Sequence, residues 1–281
     1  MPPDPKGGNG IEAQRVHIVK IHTERPRTAS GTQTLARAFS LLRATASQPR
    51  VGRRLVELAE ECGLERPTAH RILQGLVAEG VVVQDRETRR YRLGPLLQEL
   101  GLAAKPQTPV LEAWRPLLEG VARDTGQTAF LTVRSGFDGV CLDRQEGAFP
   151  VKVLVLEPGR RRPLGIGAGG MALFAFEGAP ERERILAANA DRLALDWPGY
   201  SPEEIARRAR TTRRLGHALH EVQEMRGIRS VAVPILAPSH RPLGAFSVSA
   251  LSSVLKGERL AATIDILRRA AEKAALIAVE S

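Results

Sequence analysis

The chain is poor in the residues that build redox and metal chemistry. It has two cysteines in 281 residues, Cys62 and Cys141, far apart and outside any CxxC pair. That excludes a disulfide framework and the usual cysteine zinc spacings. Both fall inside apolar patterns and read as buried free thiols of a reducing compartment. Aromatic residues make up only 4%, so the core must rest on Leu, Ala and Val. No uninterrupted apolar run approaches the roughly 20 residues that span a bilayer. The opening MPPDPKGGNGIEAQ has no signal-peptide core. These absences lead us to expect a soluble, cytoplasmic protein with no membrane partner. Acidic residues are also short, 31 against 41 Lys and Arg, for a net charge of +10. Such an excess favours polyanions, although Arg-rich chains without a nucleic-acid partner exist. His217 and His220 form an HxxH, but no third ligand stands near them. No nucleophile elbow and no Cys–His arrangement is assembled, so neither metal, cofactor nor catalytic set is expected.

Punctuation divides what remains. Residues 1–31 mix Pro, Gly, Thr and charge without a period and read as a disordered basic arm. Lys20, Arg25 and Arg27 either touch DNA phosphates or belong to an inert tail. Residues 32–94 read as a small helical domain ending in a β-hairpin, 95–106 as a linker helix, and 107–281 as a mixed α and β domain. The first helix starts near Thr34 and ends near Ser47, with Leu35, Ala38, Phe39, Leu41 and Leu42 marking its inward side. A second helix covers about 53–62, Gly63 supplies the turn, and a third starts near Pro67 and ends near Gly80.

This spacing is that of a helix-turn-helix. Two crossing helices want a small residue at their contact and glycine at the turn, and Ala59 and Gly63 occupy those places. Ala69 and Ile72 then seal the third helix against the second. If the third helix enters a major groove, helical phase aims Arg66, Thr68, His70, Arg71 and Gln74 at the base edges. Arg pairs bidentately with guanine and Gln with adenine. The hairpin carries Arg86, Arg89, Arg90 and Arg92, suited to sequence-independent phosphate contacts, with Glu57, Glu60 and Glu61 offsetting charge nearby. A helical bundle without a DNA role is the plainer alternative.

In the second domain a helix is expected over about 110–125 and strands at TAFLTVR, GVCLDRQ and VKVLVL. Helices at about 180–189 and 202–215, strands at SVAVPIL and LGAFSVSA, and a final helix over about 256–279 follow. Between them GIGAGGMALFAF places Gly165, Gly167 and Gly170 at G-x-G-x-x-G spacing. A dinucleotide loop should follow a buried strand directly and lead to another strand. Here the charged, proline-broken EPGRRRPL intervenes, and Asp191, at the distance of a ribose partner, sits after a helical pattern. The fingerprint is a coincidence. Its physics survives: Gly167, Ala168 and Gly169 at a helix start expose N–H groups that suit one carboxylate of a small organic acid. Close helix–sheet packing is the other use of the same glycines.

Taken together, LVELAEECGLERPTAHRILQGLVAEG, DRETRRYRLGPLLQELG, GRRRPLGIGAGGMALFAF, RGIRSVAVPIL and LGAFSVSA resemble the IclR family of bacterial transcription regulators, over about residues 33–280. The resemblance implies an α/β (α+β) architecture, a winged helix-turn-helix before a GAF-like effector-binding domain. It also implies a homodimer or tetramer on double-stranded operator DNA, released or recruited by a small-molecule effector, an organic or aromatic acid. The family's glycine loop borders its effector pocket. The family often has two acids in the stretch matched by ALHEVQEMRG, where His220 and Glu221 stand, and a cysteine where Ser230 stands. Ser247 matches a family effector contact, and Ser249, two residues on, faces the same side. Gly170-Met171 lacks the lysine common in the family's loop. Histidine in place of an acid should favour anions or confer pH sensitivity. Two rivals stay open: an enzyme acting on a small carboxylic acid with the winged helix as adaptor, and an assembly protein whose winged helix binds protein.

Overall fold

In the computed structural model, residues 32–46, 51–103, 109–223 and 225–280 are described. The basic arm of 1–31 and the Gln48-Pro49 break lie outside them.

The first unit is built from three helices, α1 (Gln33–Thr45), α2 (Leu55–Glu61) and α3 (Arg66–Ala78), with a hairpin of β1 (Val82–Gln84) and β2 (Tyr91–Leu93). Leu41, Leu58, Ala69, Leu73, Val82 and Tyr91 form its fully buried centre. Two residues expected inside α1 are on its surface: Leu35 is 58% and Phe39 50% exposed. The apolar stripe of α1 is wider than the face that α2 and α3 cover. The linker helix α4 (Pro95–Ala103) likewise buries none of its side chains, and Leu100 and Leu102 stand exposed.

The second unit is one six-stranded antiparallel sheet. Its strands are β3 (Thr128–Ser135), β4 (Asp138–Gln145), β5 (Arg161–Pro163), β6 (Ala218–Glu221), β7 (Ile228–Leu236) and β8 (Pro242–Leu251), in the order β5-β4-β3-β8-β7-β6. One face packs on α5 (Pro109–Thr125) and α9 (Gly257–Glu280) through Leu118, Leu131, Val231, Phe246 and Leu267. Trp114 ties the two helices together, its indole N–H donating to the Ala274 carbonyl at 2.9 Å. The other face meets α6 (Gly167–Phe176), behind which lie α7 (Ala179–Asp196) and α8 (Pro202–Leu215).

VKVLVL is not a strand. Residues 151–156 form no regular element, and the third strand of that half of the sheet is Arg161–Pro163 instead. The run mimics a strand because its inward residue is deeply buried: Val153 packs on Val222 and Ile228 at the edge of the sheet, while Val151 and Leu154 face out. It is a strap lying over the sheet. The helix expected over 180–189 continues to Asp196, so Asp191 is helical, and with an antiparallel sheet this removes any dinucleotide geometry. Among the described residues no helix is long and apolar enough to cross a membrane.

Candidate functional sites

The turn between α2 and α3 depends on Gly63, whose φ of +61° is left-handed backbone. The Leu64 N–H returns to the Ala59 carbonyl at 2.8 Å and closes the turn. With Ala69, Ile72 and Leu73 buried, the opposite side of α3 is left to solvent. Arg66, His70, Arg71 and Gln74 are exposed there, and Thr68 is half-buried between them. Gln74 is the one already engaged, its amide donating to the Tyr91 hydroxyl at 3.4 Å.

The hairpin beside α3 is stiffened by an aspartate. One Asp85 carboxylate oxygen accepts from the Glu87 and Thr88 backbone N–H groups and from the Thr88 hydroxyl, and the other pairs with Arg92 at 3.0 Å. These hydrogen bonds hold the carboxyl below its ordinary pKa. Arg86 and Arg89 project into solvent from the tip, while Arg90 is half-buried and donates to the Gly52 carbonyl at 2.9 Å. Arg53 extends the hairpin by a bridge to Tyr91 and neutralises Glu57 and Glu61, at 3.2 and 2.7 Å. Two of the three acids near the basic surface are therefore already paired.

In the second unit a cavity of about 40 Å³ opens on the sheet face that meets α6. Gly167, Ala168 and Gly169 line it from the start of α6, and His220, Ser230, Ser247 and Ser249 line it from β6, β7 and β8. All seven positions singled out by sequence thus surround one space. Their convergence follows from register: His220 pairs with Ser230, Ser230 with Ser249, and Ala232 with Ser247. Ser230 and Ser249 share a hydrogen bond of 2.7 Å.

The start of α6 has no side-chain cap. Its approach to the sheet is so close that a Cβ on Gly169 would lie 2.6 Å from Thr132 Oγ1. Gly165, at φ +99°, lets α8 come equally near, for a Cβ there would lie 2.7 Å from Ile205. The glycines therefore serve packing and, at the same time, set the uncapped start of α6 at the cavity.

Sequence reasoning missed the cation. Arg162 lines the cavity, its Nη1 3.7 Å from where a Cβ on Gly167 would stand, and its Nη2 donates to the Val155 carbonyl of the strap at 3.1 Å. Its place in the GRRRP run directly before the glycines was the available signal. Phe130, Thr132, Val155 and Leu156 complete the apolar walls.

His220 does not play the part expected of it. Arg208 donates to Nδ1 at 2.8 Å, so the proton sits on Nε2, 3.2 Å from the Tyr200 hydroxyl. Burial, then the nearby charges of Arg208 and Arg162, lower its pKa to about 3. The ring is neutral near pH 7 and acts as neither an anion-attracting cation nor a switch at that pH. Nor do the two histidines converge on a metal: His217 turns to the Leu215 carbonyl, and among the described residues no group of three His, Cys, Asp or Glu side chains gathers.

Comparison with known proteins finds two family domains in the chain. Residues 34–86 match the model of the IclR helix-turn-helix domain, and residues 103–276 that of the bacterial transcriptional regulator IclR C-terminal domain. The chain is 28% identical to the HTH-type transcriptional regulator XynR of Escherichia coli K12, over 74% of this chain and 82% of that one. It is 31% identical to the glycerol operon regulatory protein of Streptomyces coelicolor, over 79% and 85%. The crystal structure of an IclR transcriptional regulator from Alicyclobacillus acidocaldarius superposes with a TM-score of 0.71 at 26% identity, covering 87% of this chain and 98% of that one.

Proposed function

The chain belongs to the IclR family of bacterial transcriptional regulators, and from that premise we propose how its two sites divide the work. The winged helix-turn-helix binds double-stranded operator DNA in the cytoplasm, and a small organic acid in the sheet cavity changes that binding. Helix α3 lies in the major groove. Arg66, Thr68, His70, Arg71 and Gln74 meet base edges and flanking phosphates, while Arg86 and Arg89 of the hairpin contact the backbone. Arg90 supports the hairpin through Gly52 more than it contacts DNA. A homodimer or a higher oligomer sets two such helices on a two-fold operator.

One observation carries the effector half of this reading. A cation, Arg162, and the uncapped N-terminus of α6 line the same cavity. Both favour negative charge, and inside a protein such interactions outweigh their strength in water. The acid's carboxylate binds there, between Arg162 and the N–H groups of Gly167, Ala168 and Gly169. Ser230, Ser247 and Ser249 meet its remaining polar atoms, and His220 braces the row.

The DNA half is tested by selecting genomic fragments with purified protein at near-physiological salt, then comparing Arg71→Ala on the enriched site. We expect one short two-fold-symmetric site. The variant should lose about 1–3 kcal/mol of specific binding, with its thermal unfolding unchanged. Equal affinity of variant and parent for the site would remove Arg71 from the readout.

A further inference from the structure

Buried polar atoms in folded proteins nearly always have partners. Among the described residues two buried side-chain atoms have none, Thr128 Oγ1 and Arg144 Nη1. Strand register sets both on one face of the sheet. Thr128 pairs with Ser249 across β3 and β8, so its side chain shares the cavity's face of the sheet and extends the row His220–Ser230–Ser249 onto a fourth strand. Arg144 pairs with Phe130, itself a wall of the cavity, and so emerges on that face too, diagonal to Thr128. Its Nη2 reaches Glu146 at 3.3 Å, which draws the guanidinium towards the row of Thr128. Thr128 is 2% exposed and the Arg144 side chain 13%.

We propose that Thr128 and Arg144 form a second recognition point for the effector, at the end of the sheet face opposite the α6 N-terminus, and that the effector is a small diacid. This deepens the effector reading above and rests on it. The first carboxylate is held by Arg162 and the N–H groups of α6, beside Thr132. Thr132 and Thr128 are four residues apart on one strand, about 13 Å at roughly 3.3 Å per residue. Arg144 starts level with Phe130, halfway along that span, so its guanidinium and a hydrogen bond of about 3 Å from Thr128 bring the second carboxylate to roughly 7–10 Å from the first. A five- or six-carbon diacid covers that length. It lies along the face past Phe130 and under Val155 and Leu156. The cavity of about 40 Å³ is smaller than such an acid, so binding requires the strap that carries those two, which has no strand partner, to move outward from the sheet. Arg144 donates to the second carboxylate, and so does the Thr128 hydroxyl. A monoacid of the same length gains neither hydrogen bond, so the preference for the diacid comes from the two partners that only a second carboxylate supplies.

The test is calorimetric titration of the full chain with adipate and with hexanoate. The parent should prefer adipate by about tenfold or more. Thr128→Val and Arg144→Met should each cut the preference below about threefold and leave hexanoate affinity unchanged. Thr128→Val should also raise the melting temperature of the ligand-free chain, since it deletes a buried hydroxyl without a partner. A merely structural Thr128 would change the melting temperature without touching the preference. If hexanoate binds and is lost in Arg162→Met, but adipate gains nothing, the second point is overturned and the first stands. If neither acid binds, both fall.

Discussion

His220 shows how much the neighbours of a single residue decide. Its ring is enclosed by Arg208 and Tyr200, with Arg162 near, and its pKa falls to about 3. An unfolded histidine titrates near 6.5, so between the two values the unfolded chain takes up a proton that the folded chain refuses. The stability this gives is complete above about pH 6.5 and is lost as pH falls towards 3. The lowered carboxylates Glu57, Asp85 and Glu204 act with the same sign, but only below their ordinary values near 4. The window from pH 6.5 to 4.5 therefore isolates the histidines: His217, also lowered by burial, acts there with the same sign, and the His220 variant separates the two. Denaturant unfolding at pH 7 and pH 5 should show the parent losing on the order of 1–3 kcal/mol, and His220→Asn losing much less. A parent with flat stability over that window would show that the ring protonates freely. The sign is opposite to that of a histidine gaining an acidic partner, which is what substitution at an acidic position first evokes.

At the scale of elements, the glycine-rich start of α6 combines two demands that point mutations separate. Gly169 has no room beside Thr132, whereas a Cβ on Gly170 would meet nothing nearer than 3.7 Å. Gly169→Ala should destabilise by about 1–3 kcal/mol through overpacking. Gly170→Ala should be neutral or stabilise by up to about 1 kcal/mol, because alanine suits a helix better. Thermal melts of the two variants give the answer directly, and similar losses in both would mean the helix does not lie where the structure puts it. These elements also show what a sequence reader can see. Helix α8 runs from Pro202 to Leu215, as its pattern predicts, because proline opens it and Gly216, left-handed at φ +74°, ends it. The strand expected at VKVLVL failed because composition reports burial and cannot report a hydrogen-bonding partner; Val153 is buried without one being supplied. In α1 the failure runs the other way. Leu35 and Phe39 belong to its apolar stripe, but a short bundle covers only part of that stripe. In the cavity, strand parity made the serines legible, while Arg162 reaches it, and Tyr200 reaches His220, through tertiary packing that no local period encodes.

Over the whole molecule, the proposed function assigns basic side chains two tasks, DNA attraction in the first unit and, through Arg162, carboxylate binding in the cavity of the second. In the proposed function the projecting Arg86 and Arg89 contribute a uniform, salt-sensitive attraction, so replacing both with alanine should weaken binding to all DNA sequences and flatten the dependence of affinity on salt. Unchanged salt dependence would place the hairpin away from the phosphates. What makes the chain a regulator is the coupling between the units. It is a free energy, typically about 1–3 kcal/mol, and it acts equally in both directions. In the proposed function that coupling starts at Arg162, which lines the cavity and holds the strap through the Val155 carbonyl. The most direct measurement is the affinity of the full chain for its selected operator, by fluorescence anisotropy, with and without a panel of small mono- and dicarboxylic acids. We predict that at least one acid shifts that affinity by about tenfold, in either direction, and that Arg162→Met keeps DNA binding but abolishes the shift. An operator affinity that stays constant across the panel, in protein that binds its operator tightly, would contradict the account.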